Sequence, residues 1–521
     1  MHARRLVIAA LSTAVLLGLP SAASAVVDEV VEVDTPNGRI SVEVRRPDGA
    51  EKVPIILTYS PYNTLSEQPG GTVAADALAD TFVPKGYARA VADVIGTRNS
   101  TGCWDYGGPK EQQSGVDLVN ALAAQPWSNG RVAMIGASYD GTTANMVAVR
   151  GADVPGLAAI VPQAAISRWY GYAYQDGVRY LGNSAEPTDE GFDTPLAFDF
   201  GLTRTPPTKP DEGNLLDLPT ERYALCDSVE HTLHGYDTTP DYDEFWHQRD
   251  YLAHAANVRV PALVTHGWQD YNVKQSEGLD FYTALTNTPF KLLYMWQGPH
   301  GIPGGPYNAL LERFFAKTLK GQDSGVELEP PVRTFGRTGE TADKVAHEED
   351  AWPPAGTTQL ALPLGTGSES FTDTATSSEE VALALGLDQE TSWRYYEFGV
   401  LDAPLRIAGS PVLDASVTDS ATTGQLSPTL VDVAPDGSAV PITRGHLNLQ
   451  YRDGLAQAVP VPAGPVRAQV RLAPQDQTIP AGHRLGLIVA GSNVVWAVPD
   501  RPGSTITLEN GASRLLLPVA P

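Results

Sequence analysis

Cysteine is scarce, with only Cys103 and Cys226 in 521 residues. That excludes a scaffold stapled by many disulfides, and neither cysteine adjoins a histidine that would make it a thiol nucleophile. The even count suggests one Cys103–Cys226 disulfide if the protein is exported; the alternative is two buried thiols. Basic residues are also short, 36 Lys and Arg against 61 Asp and Glu, for a net charge of −25. Nucleic acid and anionic membrane surfaces need clustered Lys and Arg, so neither is an expected partner. There is no G-x-x-x-x-G-K-[ST] loop, no dinucleotide-binding glycine fingerprint and no H-E-x-x-H pair. Glu230, His231 and His234 lack that i,i+4 spacing and a third ligand, and read as a solvated acidic face. No cofactor and no metal is expected.

Long apolar runs are confined to the N-terminus. MHARR, then LVIAALSTAVLLGLP, then Ala23-Ser24-Ala25 form the charged, apolar and small-residue parts of a signal peptide over 1–25. The expected product is secreted, begins near Val26, and carries a net charge of −27 once Arg4 and Arg5 are lost. No later segment approaches the roughly 18 apolar residues of a membrane span.

Beyond Val26 the chain reads as strands alternating with helices. Residues 27–47 suggest a hairpin around Pro36-Asn37-Gly38, and VPIILTYS (53–60) and ARAVADVIG (88–96) read as strands buried on both faces. A helical spacing over 111–125, the strand RVAMIGAS, the helical TTANMVAVRG and the strand LAAIVPQAA continue the series. Such alternation implies an α/β doubly wound sheet. The rhythm breaks at about 166–255, where positions 186–244 hold 15 acidic residues against 3 basic ones; an inserted helical cap is expected there. It returns with VPALVTHG, a helix near 275–286, KLLYMWQG and NALLERFFAKTLKG. From about 329 to 521, short alternating runs separated by Gly, Pro and Asp turns predict an all-β sandwich domain. The catalytic domain would then occupy 26–328.

RVAMIGASYDGTTA (131–144) reads as a strand turning sharply into a helix with Ser138 at the corner. A nucleophile elbow is usually written G-x-S-x-G, but the second glycine comes one place late, at Gly141, with Asp140 before it. A nucleophilic serine needs a base and an orienting acid, which in an α/β-hydrolase follow it in the order Ser, acid, His at strand ends. Asp270 in VTHGWQDYNV and His300 in LLYMWQGPHG stand in that order and context, whereas His266 reads as a packed neighbour. The oxyanion of acyl transfer needs two donors. One is the backbone N–H of Tyr139; the other is the phenol of Tyr62 in YSPYN, unless Tyr62 only packs in its turn.

GASYDG resembles the G-x-S-Y-x-G elbow of the Xaa-Pro dipeptidyl-peptidase and cocaine esterase family of α/β-hydrolases, in which the late glycine is regular. HGWQDYNV is similar to the acid loop of the peptidase branch, WQGPHG to its histidine loop, and SPY to the loop whose tyrosine completes the oxyanion hole. Residues 430–454 resemble its C-terminal jelly-roll domain. The resemblance covers nearly the whole mature chain. It implies a serine peptidase releasing Xaa-Pro dipeptides, with Ser138 as nucleophile, Asp270 as orienter, His300 as base and acid, and Tyr62 and Tyr139 as oxyanion hole. An esterase or amide acylase, or a tripeptide-releasing peptidase, is the alternative on the same scaffold; a catalytically silent binding protein would leave these positions idle. SRWYGYAY resembles the aromatic lining of the proline pocket, which makes Trp169, Tyr170 and Tyr172 substrate-side candidates, or else cap core. A free amino terminus needs a carboxylate, for which Glu186, Asp189 and Glu190 are candidates. Asp140 replaces the apolar residue usual at its position.

Overall fold

Every residue of VPIILTYS is buried, as a strand covered by helices on both faces requires. In the computed structural model, which describes residues 25–49, 51–63, 74–180, 239–374, 382–383, 387 and 392–521, it is the third strand of a ten-stranded sheet. β1 (Val26–Thr35) and β2 (Gly38–Pro47) are the expected hairpin. β3 (Val53–Ser60), β4 (Ala88–Asp93), β5 (Ser128–Ala137) and β6 (Leu157–Gln163) alternate with α1 (Ala77–Phe82), α2 (Pro109–Ala123) and α3 (Tyr139–Ala148). Next come α4 (Trp169–Ala173) and a small hairpin, β7 (Tyr174–Gln175) with β8 (Val178–Arg179). Most of the expected cap lies outside the described residues; α5 (Glu244–His247) follows it. β9 (Ala262–Gly267), α6 (Gln275–Ala284), β10 (Lys291–Trp296), α7 (Pro306–Lys320) and β11 (Val332–Thr334) resume the alternation. A hairpin of β12 (Arg337–Thr338) and β13 (Thr341–Ala342) then precedes β14 (His347–Glu349).

The sheet order is β1-β2-β4-β3-β5-β6-β9-β10-β11-β14, and every pairing from β4 to β11 is parallel. Parallel strands need crossovers, and these place helices on the two faces. α7 shows how one face is covered. Its buried Tyr307, Leu310, Leu311, Phe314, Phe315 and Leu319 recur at helical spacing, and Gly321, at φ 66°, ends it in a left-handed cap. The result is the expected α/β-hydrolase sheet, with all loops at strand C-terminal ends opening on one edge.

The remaining chain is β-rich. Val412–Asp419, Gln475–Ile479, Thr505–Glu509 and Arg514–Val519 belong to a second ten-stranded sheet, while Gln425–Val433 and Arg484–Ala490 lie in a five-stranded one. Leu413, Val417, Leu430, Leu487, Leu508 and Leu517 fill a core separate from that of the first sheet. The change of sheet is not a single cut at 328/329. β11 and β14 complete the first sheet, whereas β12 joins the second by pairing with Gln475–Ile479. Each of these strands is two or three residues long, too short to show a period in the sequence.

Candidate active site

Ser138 stands between β5 and α3 with φ 61° and ψ −128°, a strained conformation for a residue with a side chain. Backbone bonds hold it there. Its N–H donates to Gln163 O at 2.9 Å, and its carbonyl accepts from the N–H of Gly141 at 3.1 Å and of Thr142 at 2.9 Å. The two glycines explain the spacing of the motif. A Cβ on Gly136 would fall 2.3 Å from Asp140 Cβ; one on Gly141 would fall 2.7 Å from Gly136 O and 2.9 Å from Ala165 Cβ and Gln163 O. The third residue of α3 is where the helix crosses β5 and β6 most closely, so a glycine is needed there.

Asp270 follows β9 and is fully buried. Its Oδ1 accepts the backbone N–H of Asn272 at 3.1 Å and of Val273 at 2.9 Å. Its Oδ2 lies 2.8 Å from His300 Nδ1, in the loop after β10, and 3.2 Å from His266 Nε2. Burial works to raise this carboxyl, but the hydrogen bonds with His266 and His300 outweigh it and hold it below the ordinary carboxylate range. His266 Nε2 also lies 2.8 Å from Val273 O, so this buried ring is bound within the acid loop. The Asp270 contact through Nδ1 directs Nε2 of His300 away from the acid.

Tyr62 follows β3. Its hydroxyl lies 3.3 Å from Ser138 Oγ and accepts the Tyr139 N–H at 3.3 Å, so the two expected donors and the serine meet at one point. Among the described residues, Ser138 Oγ pairs with Tyr62 and makes no hydrogen bond to His300. Such contacts commonly close only when substrate arrives. Burial, then the charge of Asp140, raises the Tyr62 phenol well above its ordinary range, which keeps it a donor. Burial pushes the Asp140 carboxyl up to about 7.

The phenol of Tyr139 points the other way, into the protein. It donates to Glu111 Oε2 at 2.7 Å and accepts from Trp104 Nε1 at 2.9 Å. Glu111 is fully buried, also accepts the Gly107 N–H at 2.7 Å, and is pushed up to about 8 by burial and then by Asp105. Nothing in the sequence marked Glu111, because its partners are 4 and 28 positions away and belong to different elements.

α4 separates the three aromatic candidates by helical spacing. Trp169 and Tyr172, three apart, share one side: Trp169 packs edge-on against Tyr139 at 5.5 Å and against Tyr172 at 5.9 Å. Tyr172 donates to Asn272 Oδ1 at 3.1 Å, beside the acid loop. Tyr170 takes the other side, stacked on Tyr174 at 5.1 Å and donating to Pro240 O at 2.7 Å. Asn272 escaped notice in the sequence, although it stands two residues after Asp270. Glu186, Asp189, Glu190, Glu230, His231, His234 and Cys226 lie outside the described residues. Cys103, in the loop after β4, is not a free thiol.

Sheet order, two-sided helical cover and the serine at the β5–α3 corner define an α/β-hydrolase with an added β-rich domain. The chain belongs to the X-Pro dipeptidyl-peptidase (S15) family: the model of that family matches residues 37–301, and that of the X-Pro dipeptidyl-peptidase C-terminal non-catalytic domain matches 324–516. It is therefore an enzyme, a serine hydrolase. A putative Xaa-Pro dipeptidyl-peptidase of Streptomyces avermitilis is 29% identical over 93% of this chain and 81% of its own length. The Xaa-Pro dipeptidyl-peptidase of Lacticaseibacillus paracasei is 24% identical over 85% of this chain and 63% of its own. Among solved structures, a CocE/NonD family hydrolase from Staphylococcus aureus shares the fold with a TM-score of 0.73 at 17% identity, over 97% of this chain and 100% of that one. An α-amino acid ester hydrolase does so with a TM-score of 0.72 at 19% identity, covering 98% and 99%. No helix among the described residues is long and apolar enough to cross a membrane.

Proposed function

We propose that the protein removes Xaa-Pro dipeptides from peptide N-termini through an acyl-enzyme on Ser138. The observation that carries this reading is the 2.8 Å pairing of His300 Nδ1 with Asp270, in a chain of this family whose strained serine lies against Tyr62 and the Tyr139 N–H. His300 Nε2 takes the Ser138 proton as Oγ attacks the carbonyl after proline. The oxyanion takes hydrogen bonds from Tyr139 N–H and Tyr62 O–H. The C–N bond breaks as His300 returns the proton to the departing amine, leaving the dipeptide esterified to Oγ. Water, activated by the same imidazole, then releases the dipeptide. Trp169 and Tyr172 supply the flat apolar wall for proline. The two-sheet β domain is read as a jelly roll.

Ser138→Ala should remain folded and lose several orders of magnitude in kcat; retained turnover would refute the mechanism. Ala-Pro-p-nitroanilide should be cleaved and its N-acetylated form should not. Equal cleavage of both would leave an esterase or acylase, which the shared fold with the ester hydrolase accommodates. Export is proposed from the N-terminal pattern, and N-terminal sequencing of the secreted enzyme should begin near Val26.

A further inference from the structure

Glu111, on the first turn of α2, is a carboxylic acid sealed in the interior behind the elbow. Its Oε1 is closed off from solvent and has no hydrogen-bond partner. Its Oε2 accepts the Tyr139 phenol at 2.7 Å and the Gly107 N–H at 2.7 Å. The carbonyl of the same Gly107 accepts the Tyr251 hydroxyl at 2.6 Å, and that hydroxyl accepts from Trp169 Nε1 at 3.1 Å. Trp169 in turn packs edge-on against the Tyr139 ring, with 5.5 Å between centroids. A closed circuit thus runs from Glu111 to Tyr139, Trp169, Tyr251, Gly107 and back to Glu111, and every member is buried.

The circuit leaves its members little freedom. Gly107 has φ 75°, and a Cβ there would fall 2.2 Å from the Tyr251 hydroxyl and 2.6 Å from Trp169 Nε1. Asp105 pins the start of α2 by accepting the N–H of Lys110 at 2.9 Å and of Glu111 at 3.1 Å. Trp104 Nε1 gives the Tyr139 phenol a second bond at 2.9 Å. This anchoring matters because Tyr139 is the first residue of α3, where a backbone N–H has no partner within the helix. The direction of that N–H follows the rotation of Tyr139 about its N–Cα bond, and a phenol fixed at its far end limits the rotation. A sealed carboxyl oxygen with no partner costs stability, and such costs are kept where a geometry is needed.

We propose that Glu111 is a positioning residue for the oxyanion hole: by holding the Tyr139 phenol it keeps the Tyr139 N–H aimed at the oxyanion formed when Ser138 attacks. The inference rests on the reading of Ser138 as nucleophile. It is tested by kcat and KM for Glu111→Leu, Glu111→Gln, Tyr139→Phe and the double variant Glu111→Leu/Tyr139→Phe, on Ala-Pro-p-nitroanilide and on p-nitrophenyl acetate.

Glu111→Leu should lower kcat about tenfold with KM within about twofold, as expected when a donor to the transition state is misaimed. Glu111→Gln, which keeps an acceptor for the phenol, should lose less. Tyr139→Phe breaks the same bond from its other end while keeping the N–H, and should match Glu111→Leu. The double variant should fall no more than about twofold below either single one, because both remove one contact. Losses that multiply, full kcat in Tyr139→Phe, or a lowered melting temperature with kcat per folded molecule unchanged would overturn the proposal. Tyr139→Phe carries the test if Glu111→Leu does not fold. Cleavage of the ester alone by the wild type would refute the dipeptide reading, and the cycle is then read on the ester. Ser138→Ala separates the remaining failures: turnover surviving there refutes the nucleophile, whereas multiplying losses over an inactive Ser138→Ala refute only the positioning role.

Discussion

Tyr139 serves two environments at once. Its N–H is aimed at the Tyr62 hydroxyl, and its phenol is tied to Glu111 and Trp104 in the interior. Burial pushes the Glu111 acid up from 4.5 to about 8. Across that window the folded chain holds a proton that the unfolded chain has released, so this group's contribution to stability falls as pH rises from about 4.5 to 8. Glu111→Gln keeps an acceptor for Tyr139 without the titration. Its melting temperature should therefore gain on that of the wild type by about 2–4 °C between pH 5 and 8. Parallel melting curves against pH would contradict the assignment. The pairing of His300 with Asp270 was anticipated at this scale because order and strand context narrowed the histidines to one. Glu111 and Asn272 were not, since a hydrogen bond between distant positions leaves no local pattern.

Among the elements, the elbow is the most constrained. β5 and α3 approach until neither Gly136 nor Gly141 has room for a Cβ. Gly136→Ala must push Asp140 and the first turn of α3 outward, at a cost of about 1–3 kcal/mol. It should lower the urea midpoint and also displace Ser138, so turnover falls with stability. A wild-type midpoint and rate would show that the corner has more room. The buried strands were readable because two-sided burial demands an unbroken apolar run. α4 was readable only as an aromatic cluster; its helical turn is what sends Trp169 and Tyr172 one way and Tyr170 the other.

Over the whole molecule, the β-rich domain braces the loops of the first sheet. Arg406 holds Asp476 at 2.8 Å and Glu349 at 2.8 Å, and His347 of β14 meets the same Asp476 at 3.0 Å. Tyr271, next to Asp270, packs against Trp496 at 4.9 Å, and Arg471 pairs with Asp280 of α6. These contacts keep the acid loop from being a free surface loop. Period, composition and residue order sufficed for the two architectures and for placing Ser138, Asp270 and His300 after β5, β9 and β10, because a sheet buried on both faces writes its strands along the chain. Three things needed the tertiary structure: the exchange of short strands between the two sheets, the turning of Tyr170 away from Tyr172, and the closing of the Tyr62 hydroxyl on Ser138 Oγ and the Tyr139 N–H. Each depends on distances between segments far apart in sequence, and those distances exist only once the sheet has brought the ends of β3 and β5 side by side.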